Sequence, residues 1–124
     1  MNIEVKRLKT IIDKRGVLVP IEFKDLDFIP KRLFYVTNVP KSCRRGEHAH
    51  YETEQIVICI RGKVGVKLIY KKDETYFILE ENEYIYIKEG IWDAQDFITG
   101  DDVLLVLCST NFDKKDYYNK KVIN

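Results

Sequence analysis

This chain lacks what marks a membrane-spanning, secreted or nucleic-acid-binding protein. Its longest apolar run, residues 103–108, falls well short of the ~20 residues that a membrane helix needs. The opening residues Met1-Asn2-Ile3-Glu4-Val5-Lys6-Arg7 carry no signal-peptide apolar stretch. Charge of one sign is missing too. With 21 basic and 20 acidic residues the net charge is +1, which gives no electrostatic reason to expect nucleic acid or a membrane surface as partner. The three cysteines are odd in number and form no Cys-x-x-Cys pair, which excludes a disulfide framework and a zinc ribbon. Cys59 and Cys108 lie inside apolar runs and read as small core residues, and Cys43 reads as a plain loop residue. A reducing cytoplasm is the expected compartment. No Gly-rich dinucleotide loop is present.

What is present is β signal from end to end. Residues 3–8 alternate, Asp13-Lys14-Arg15-Gly16 reads as a turn, and residues 17–23 read as a second strand. A strand over 31–36 is bounded by Pro30 and Pro40. Residues 55–60, then Arg61-Gly62, then 63–70 read as a hairpin, and strands follow at 75–79, 84–87 and 103–108. A short helix is expected around 113–118. Many short strands at regular spacing, with almost no helical period, predict an all-β sandwich or barrel. At 124 residues without linker or composition shift, a single domain over 1–124 is expected.

The chain owns two histidines, and they stand two apart in Arg44-Arg45-Gly46-Glu47-His48-Ala49-His50. Residues i and i+2 of a strand share a face. The pattern therefore puts the only two side chains that ordinarily titrate near neutrality into one place. That is expected of a proton-transfer site or a metal site. The plainer alternative is a pair of satisfied, partly buried histidines.

The stretch His48-x-His50, then Glu54, then Gly62 resembles the first motif of the cupin superfamily, which implies a double-stranded β-helix (a jelly-roll barrel). The second cupin motif is degraded. Over residues 82–97 only Gly90 matches; Asn82, Lys88, Asp93 and Phe97 stand where Gly, Pro, the third His and Asn are usual. Metal-binding cupins use three His and one Glu, so the resemblance implies no metal here. A closer resemblance runs through Lys31-Arg32-Leu33-Phe34-Tyr35, Arg45-Gly46-Glu47-His48-Ala49-His50, Glu54-Gln55-Ile56-Val57, Gly90-Ile91-Trp92, residues 104–109 and Asp116-Tyr117-Tyr118. In that order these look like the dTDP-sugar 3,4-ketoisomerases, which are metal-free, dimeric cupins.

That resemblance implies an isomerase without cofactor. It acts on a dTDP-linked 4-keto-6-deoxyhexose, moves the carbonyl from carbon 4 to carbon 3 through an enediol(ate), and supplies a 3-keto sugar for 3-amino-3,6-dideoxyhexose synthesis and a surface glycan. By the same resemblance His48 is the ring base, His50 moves a proton at an oxygen, and Tyr35 donates to the enediolate. Arg45 and then Arg32, with Lys88 behind them, are the candidates for the diphosphate, because guanidinium serves phosphate bidentately. Arg15 and Asp93 fall where family members contact the sugar. Trp92 is a candidate sugar platform against a core role, and Glu54 a candidate orienter of a histidine. A homodimer is expected, with N-terminal strands over roughly 1–23 exchanged with a partner. The alternatives are a cupin-type nucleotide-sugar epimerase, a metal-dependent cupin, and a non-catalytic sugar-nucleotide-binding cupin.

Overall fold

The computed structural model describes residues 1–119. The strands in chain order are β1 Lys6–Arg7, β2 Ile11–Asp13, β3 Gly16–Leu18, β4 Arg32–Val36, β5 Cys43–His50, β6 Gln55–Arg61, β7 Val64–Tyr70, β8 Asp73–Leu79, β9 Glu83–Ile87, β10 Trp92–Phe97, β11 Val103–Cys108 and β12 Tyr117–Tyr118. They form two five-stranded sheets, ordered β1-β9-β6-β11-β4 and β12-β5-β10-β7-β8, with β2 and β3 as a separate hairpin. All the pairings are antiparallel. This is the expected cupin-type double-stranded β-helix. Among the described residues no helix is long and apolar enough to cross a membrane.

The core explains why β6 and β11 read as continuous apolar runs: both faces are covered. On the inner face Val57, Cys59, Leu104, Val106 and Cys108 meet Val64, Val66, Leu68 and Phe97 of the opposite sheet. On the outer face Ile56, Ile58 and Leu107 are covered by Leu8, Ile21, Leu26 and Phe28 from the N-terminal segment. Cys59 and Cys108 are buried free thiols, and burial pushes Cys59 up to about 12, which makes it inert.

The Arg61-Gly62 turn needs glycine. Gly62 has φ +83°, and a Cβ there would run into Asp102. The Asp102 carboxylate is already committed, accepting from the Lys63 amide at 2.9 Å, the Thr99 amide at 2.9 Å and the Thr99 hydroxyl at 2.6 Å.

The expected helix over 113–118 is absent. Instead a single 3₁₀ turn, Lys114–Asp116, leads into β12, which lies along β5 with Tyr117 opposite His50. The physical reason is non-local: the Tyr51 amide donates to the Asp116 carbonyl at 2.9 Å, and the cross-strand bonds to β5 hold the segment extended.

Candidate active site

Strand β5 builds the site. His48 and His50 face the barrel interior while Ala49 between them packs outward with Ile69, Trp92 and Ala94. Simple alternation would then point Arg45, three residues before His48, to the opposite face. A β-bulge reverses that phase. Gly46 and Glu47 both have positive φ, 85° and 65°, and the pairing with β10 slips so that His48 opposes Asp93 while Gly46 opposes Ala94. Arg45, opposite Gln95, therefore joins the histidines on the inner side. Gly46 is required here: a Cβ would come within 2.9 Å of Gln95 Oε1 and 3.3 Å of the Asp93 carbonyl.

A cavity of about 370 Å³ opens on this face, with Arg32, Phe34, Arg45, His48, Gln55, Gln95 and Tyr117 in its wall. His48 is half-buried and His50 lies buried behind it, the two rings 5.2 Å apart and edge-on. The Tyr117 ring packs against both, at 4.8 Å from His48 and 4.4 Å from His50. Arg32 lies over the Phe34 ring at 4.8 Å and the Phe112 ring at 5.1 Å, which holds its guanidinium at the cavity without a carboxylate partner among the described residues.

Behind the cavity His50 Nδ1 is 3.1 Å from Asp116 Oδ2. Burial pulls the His50 imidazole below its ordinary value; Asp116 opposes that pull, and the nearby charges of His48 and Arg32 add to it. A neutral imidazole is therefore the resting form. On the neighbouring strand Asp93 is fully buried on the inner face, with Oδ1 accepting from Gln95 Nε2 at 2.6 Å and Oδ2 without a hydrogen-bond partner among the described residues. Burial pushes this carboxyl up to about 7, against the Gln95 bond that lowers it. Among the described residues no three His, Cys, Asp or Glu side chains stand together as a metal's donor set would require.

Residues 1–122 match the family model described as FdtA, WxcM-like, C-terminal. The chain belongs to the FdtA family of sugar 3,4-ketoisomerases. It is similar to a TDP-4-oxo-6-deoxy-α-D-glucose 3,4-oxoisomerase of Aneurinibacillus thermoaerophilus, at 33% identity over 94% of this chain and 86% of that one. Among solved structures it is similar to the 3,4-ketoisomerase QdtA of Thermoanaerobacterium thermosaccharolyticum, seen as a histidine-to-asparagine variant with TDP-4-keto-6-deoxyglucose. That match has 36% identity and a TM-score of 0.89, covering 96% of this chain and 88% of that one. WlaRA of Campylobacter jejuni, a TDP-fucose 3,4-ketoisomerase, matches at 31% identity and a TM-score of 0.87, over 97% of this chain and 90% of that one.

Within this ketoisomerase the residues expected from sequence divide. His48, His50, Arg45 and Arg32 come together as described. Asp93 is on the inner face but lies beneath Gln95, which takes the cavity wall. Tyr35 also stands in the cavity wall; its place on β4 leaves the side chain 67% exposed, while Arg32, Phe34 and Val36 alternate inward. Glu54 is a correction: residues 51–54 connect β5 to β6 without strand pairing, and Glu54 falls in phase with Ile56 on the outer face, where the Tyr86 hydroxyl donates to it. The carboxylate within hydrogen-bond reach of a histidine is Asp116.

Trp92 is buried in the outer packing with Ala49 and Ile69 and forms no part of the cavity. It shares a face with Ala94, whereas Asp93 and Gln95 turn inward. Lys88 is exposed in a different depression, beside Tyr70 and Tyr86. Arg15 stands at the tip of the β2–β3 hairpin, where its guanidinium donates to Asp13 at 2.7 Å, and it too is outside this chain's cavity wall. The sequence reading missed Asp116, Tyr117, Gln95 and Gln55. Asp116-Tyr117-Tyr118 carried a family signal, but nothing local showed that this segment returns to the histidines.

Proposed function

We propose that this ketoisomerase converts TDP-4-keto-6-deoxyglucose to its 3-keto isomer, with His48 as the base at the ring carbons. The observation that supports this most directly is one imidazole open to the cavity, backed by a second whose far nitrogen faces a carboxylate. The sugar's ketone acidifies the C–H at carbon 3. His48 takes that proton, and the electron pair becomes the C3–C4 double bond of an enediolate whose charge rests on oxygen 4. A proton passes from oxygen 3 to oxygen 4, and His48 returns a proton to carbon 4. Carbon 3 then carries the carbonyl. No electrons leave the substrate, so neither nicotinamide nor flavin is needed.

His50 is suited to the proton transfer between oxygens. Tyr117, the phenol packed on both rings, takes the donor place expected of Tyr35. Arg45 and Arg32 supply fixed cations for the diphosphate. The reaction belongs to a cytoplasm that supplies nucleotide sugars. A 3-aminotransferase using pyridoxal phosphate would consume the ketone and yield a 3-amino-3,6-dideoxyhexose.

The test is incubation with TDP-4-keto-6-deoxyglucose in deuterated water containing EDTA, with such an aminotransferase as trap. A 3-amino product carrying deuterium at carbon 4, formed at an undiminished rate under chelation, is the expected NMR result. A 4-keto sugar epimerised at the carbon that lost its proton would put the epimerase reading first. Unchanged substrate would favour a binding module, and turnover lost to EDTA and restored by one divalent metal would favour a metal-dependent cupin.

A homodimer belongs to the same proposal. Strand β1 stays on its own sheet, with Lys6 opposite Tyr84, so the β2–β3 hairpin is the piece available for exchange. It pairs with neither sheet and exposes Ile11, Ile12, Val17 and Leu18. Strand β4 is a sheet edge with Leu33 and Tyr35 exposed on its outer face. Burying these surfaces on a second copy removes a large apolar patch from water and carries Arg15 toward the partner's cavity. Light scattering should report twice the chain mass at micromolar concentration; a monomer there sinks the dimer and with it any sugar contact from Arg15.

A further inference from the structure

The Asp116 carboxylate is the most heavily hydrogen-bonded acid near the histidines. Its Oδ1 accepts from the Glu52 amide at 2.7 Å, and its Oδ2 accepts from the Thr53 amide at 3.3 Å and from the Thr53 hydroxyl. The Thr53 oxygen, having given its hydrogen to Asp116, accepts in turn from the Thr110 hydroxyl at 2.6 Å. Burial alone would raise this acid, but the Thr53, Glu52 and His50 bonds outweigh it and hold Asp116 below the usual carboxylate range. An ionised carboxylate only accepts, so the His50 nitrogen 3.1 Å away, Nδ1, must carry the hydrogen. In the neutral ring the lone pair is then on Nε2. That atom is buried and has no hydrogen-bond partner among the described residues, a costly arrangement that marks a site of function more often than of stability.

We propose that Asp116 is a positioning residue: it locks His50 in the Nδ1–H tautomer and aims Nε2 as the proton acceptor that serves the oxygens of the substrate. The role in turnover rests on the ketoisomerase reading; the tautomer does not. Asp116 lies 66 residues beyond His50 in the chain and reaches it because β12 pairs with β5. Among the described residues, the charged and titratable groups that face His50 are Asp116 and Tyr117 from the C-terminal segment, His48 on β5 and Arg32 on β4; Asp93 of β10 stands opposite His48. Of these, Asp116 raises the proton affinity of His50, while His48 and Arg32 lower it.

The experiment compares the full-length protein with Asp116→Asn, and with Thr53→Val as a second variant that loosens the carboxylate while retaining it. Nitrogen-15 NMR of the imidazoles reads the tautomer, and steady-state kinetics read its consequence. The wild type should show a protonated Nδ1 and a bare Nε2 on His50. Asp116→Asn should give a mixed tautomer, a kcat lowered roughly 10²–10⁴-fold and little change in KM. Its acid limb of kcat against pH should move to lower pH, because the group that raises His50 has gone. Thr53→Val should shift each readout in the same direction by less. A wild-type His50 protonated at Nε2 overturns the proposal. So does either variant, folded, with an unmoved tautomer and an unmoved acid limb. A wild type without isomerase activity overturns the functional reading instead, since the NMR arm reads the tautomer regardless of turnover.

Discussion

Replacing His48 by asparagine should abolish isomerisation while TDP still binds. Asn is close to His in reach and keeps a hydrogen-bonding end, but it cannot hold a proton near neutral pH. His48 is the histidine in the cavity wall, so on the proposed assignment the variant leaves the carbon-acid step without its base. General-base catalysis contributes about 10²–10⁴-fold, and a loss of that size or greater in kcat is expected. Deuterium exchange at carbon 3 should vanish along with product. Arg45→Ala should show the opposite emphasis. Losing one charge-assisted phosphate contact costs about 1.5–3 kcal/mol, which is roughly tenfold or more in TDP affinity, with the residual kcat measured at saturation much less affected. Calorimetric titration with TDP beside single-turnover kinetics separates the two. Equal losses of TDP affinity in both variants would mean that the base and the phosphate anchor have been assigned to the wrong residues.

Asp93→Asn should stabilise the fold, and increasingly so as pH rises. Asp93 is fully buried, its Oδ2 has no hydrogen-bond partner among the described residues, and burial raises its folded pKa from 3.8 to about 7. The sign follows from which state holds the proton. Below about pH 4 the acid is neutral folded and unfolded, and ionisation costs nothing. Between there and about pH 7 the unfolded chain ionises freely while the folded one does not, so stability drains away as pH rises. Above about 7 the folded protein carries a buried charge and the loss is complete. Asparagine keeps the oxygen that accepts from Gln95 and never ionises. Each pH unit between 5 and 7 is worth about 1.36 kcal/mol, so the advantage of the variant should grow by roughly 3 kcal/mol from pH 5 to pH 8. For a chain of this size that corresponds to about 10 °C in Tm. Paired thermal melts at the two pH values read it; a difference that stays flat, or shrinks toward pH 8, would place the Asp93 charge in a solvated or paired setting.

Some of this protein is written in local pattern. The all-β class follows from the period-2 alternation and the turn residues between runs, and the hairpin around Gly62 follows from two apolar runs joined by Arg61-Gly62. The shared face of His48 and His50 follows from their spacing alone, because no irregularity separates them in β5. Period is a property of a single strand, and these features need nothing more. Phase and neighbourhood are different. Arg45 joins the histidines because Gly46 and Glu47 bulge, and no alternation rule reports a slip of one residue. Tyr35 and Phe34 are adjacent and both aromatic; which of them faces inward was set by the register of β4 on β11, where Phe34 meets Val106 and Tyr35 meets Leu105. Glu54 lost its phase to the turn after His50. Asp116 and Tyr117 read locally as the end of a short helix, yet the pairing of β12 with β5 delivers them to the histidines. Such contacts close between segments far apart in the chain, and their energy is absent from either segment by itself. The chain alone therefore named the two imidazoles and the kind of barrel that holds them. Only the folded sheets decided which carboxylate, which phenol and which guanidinium surround them.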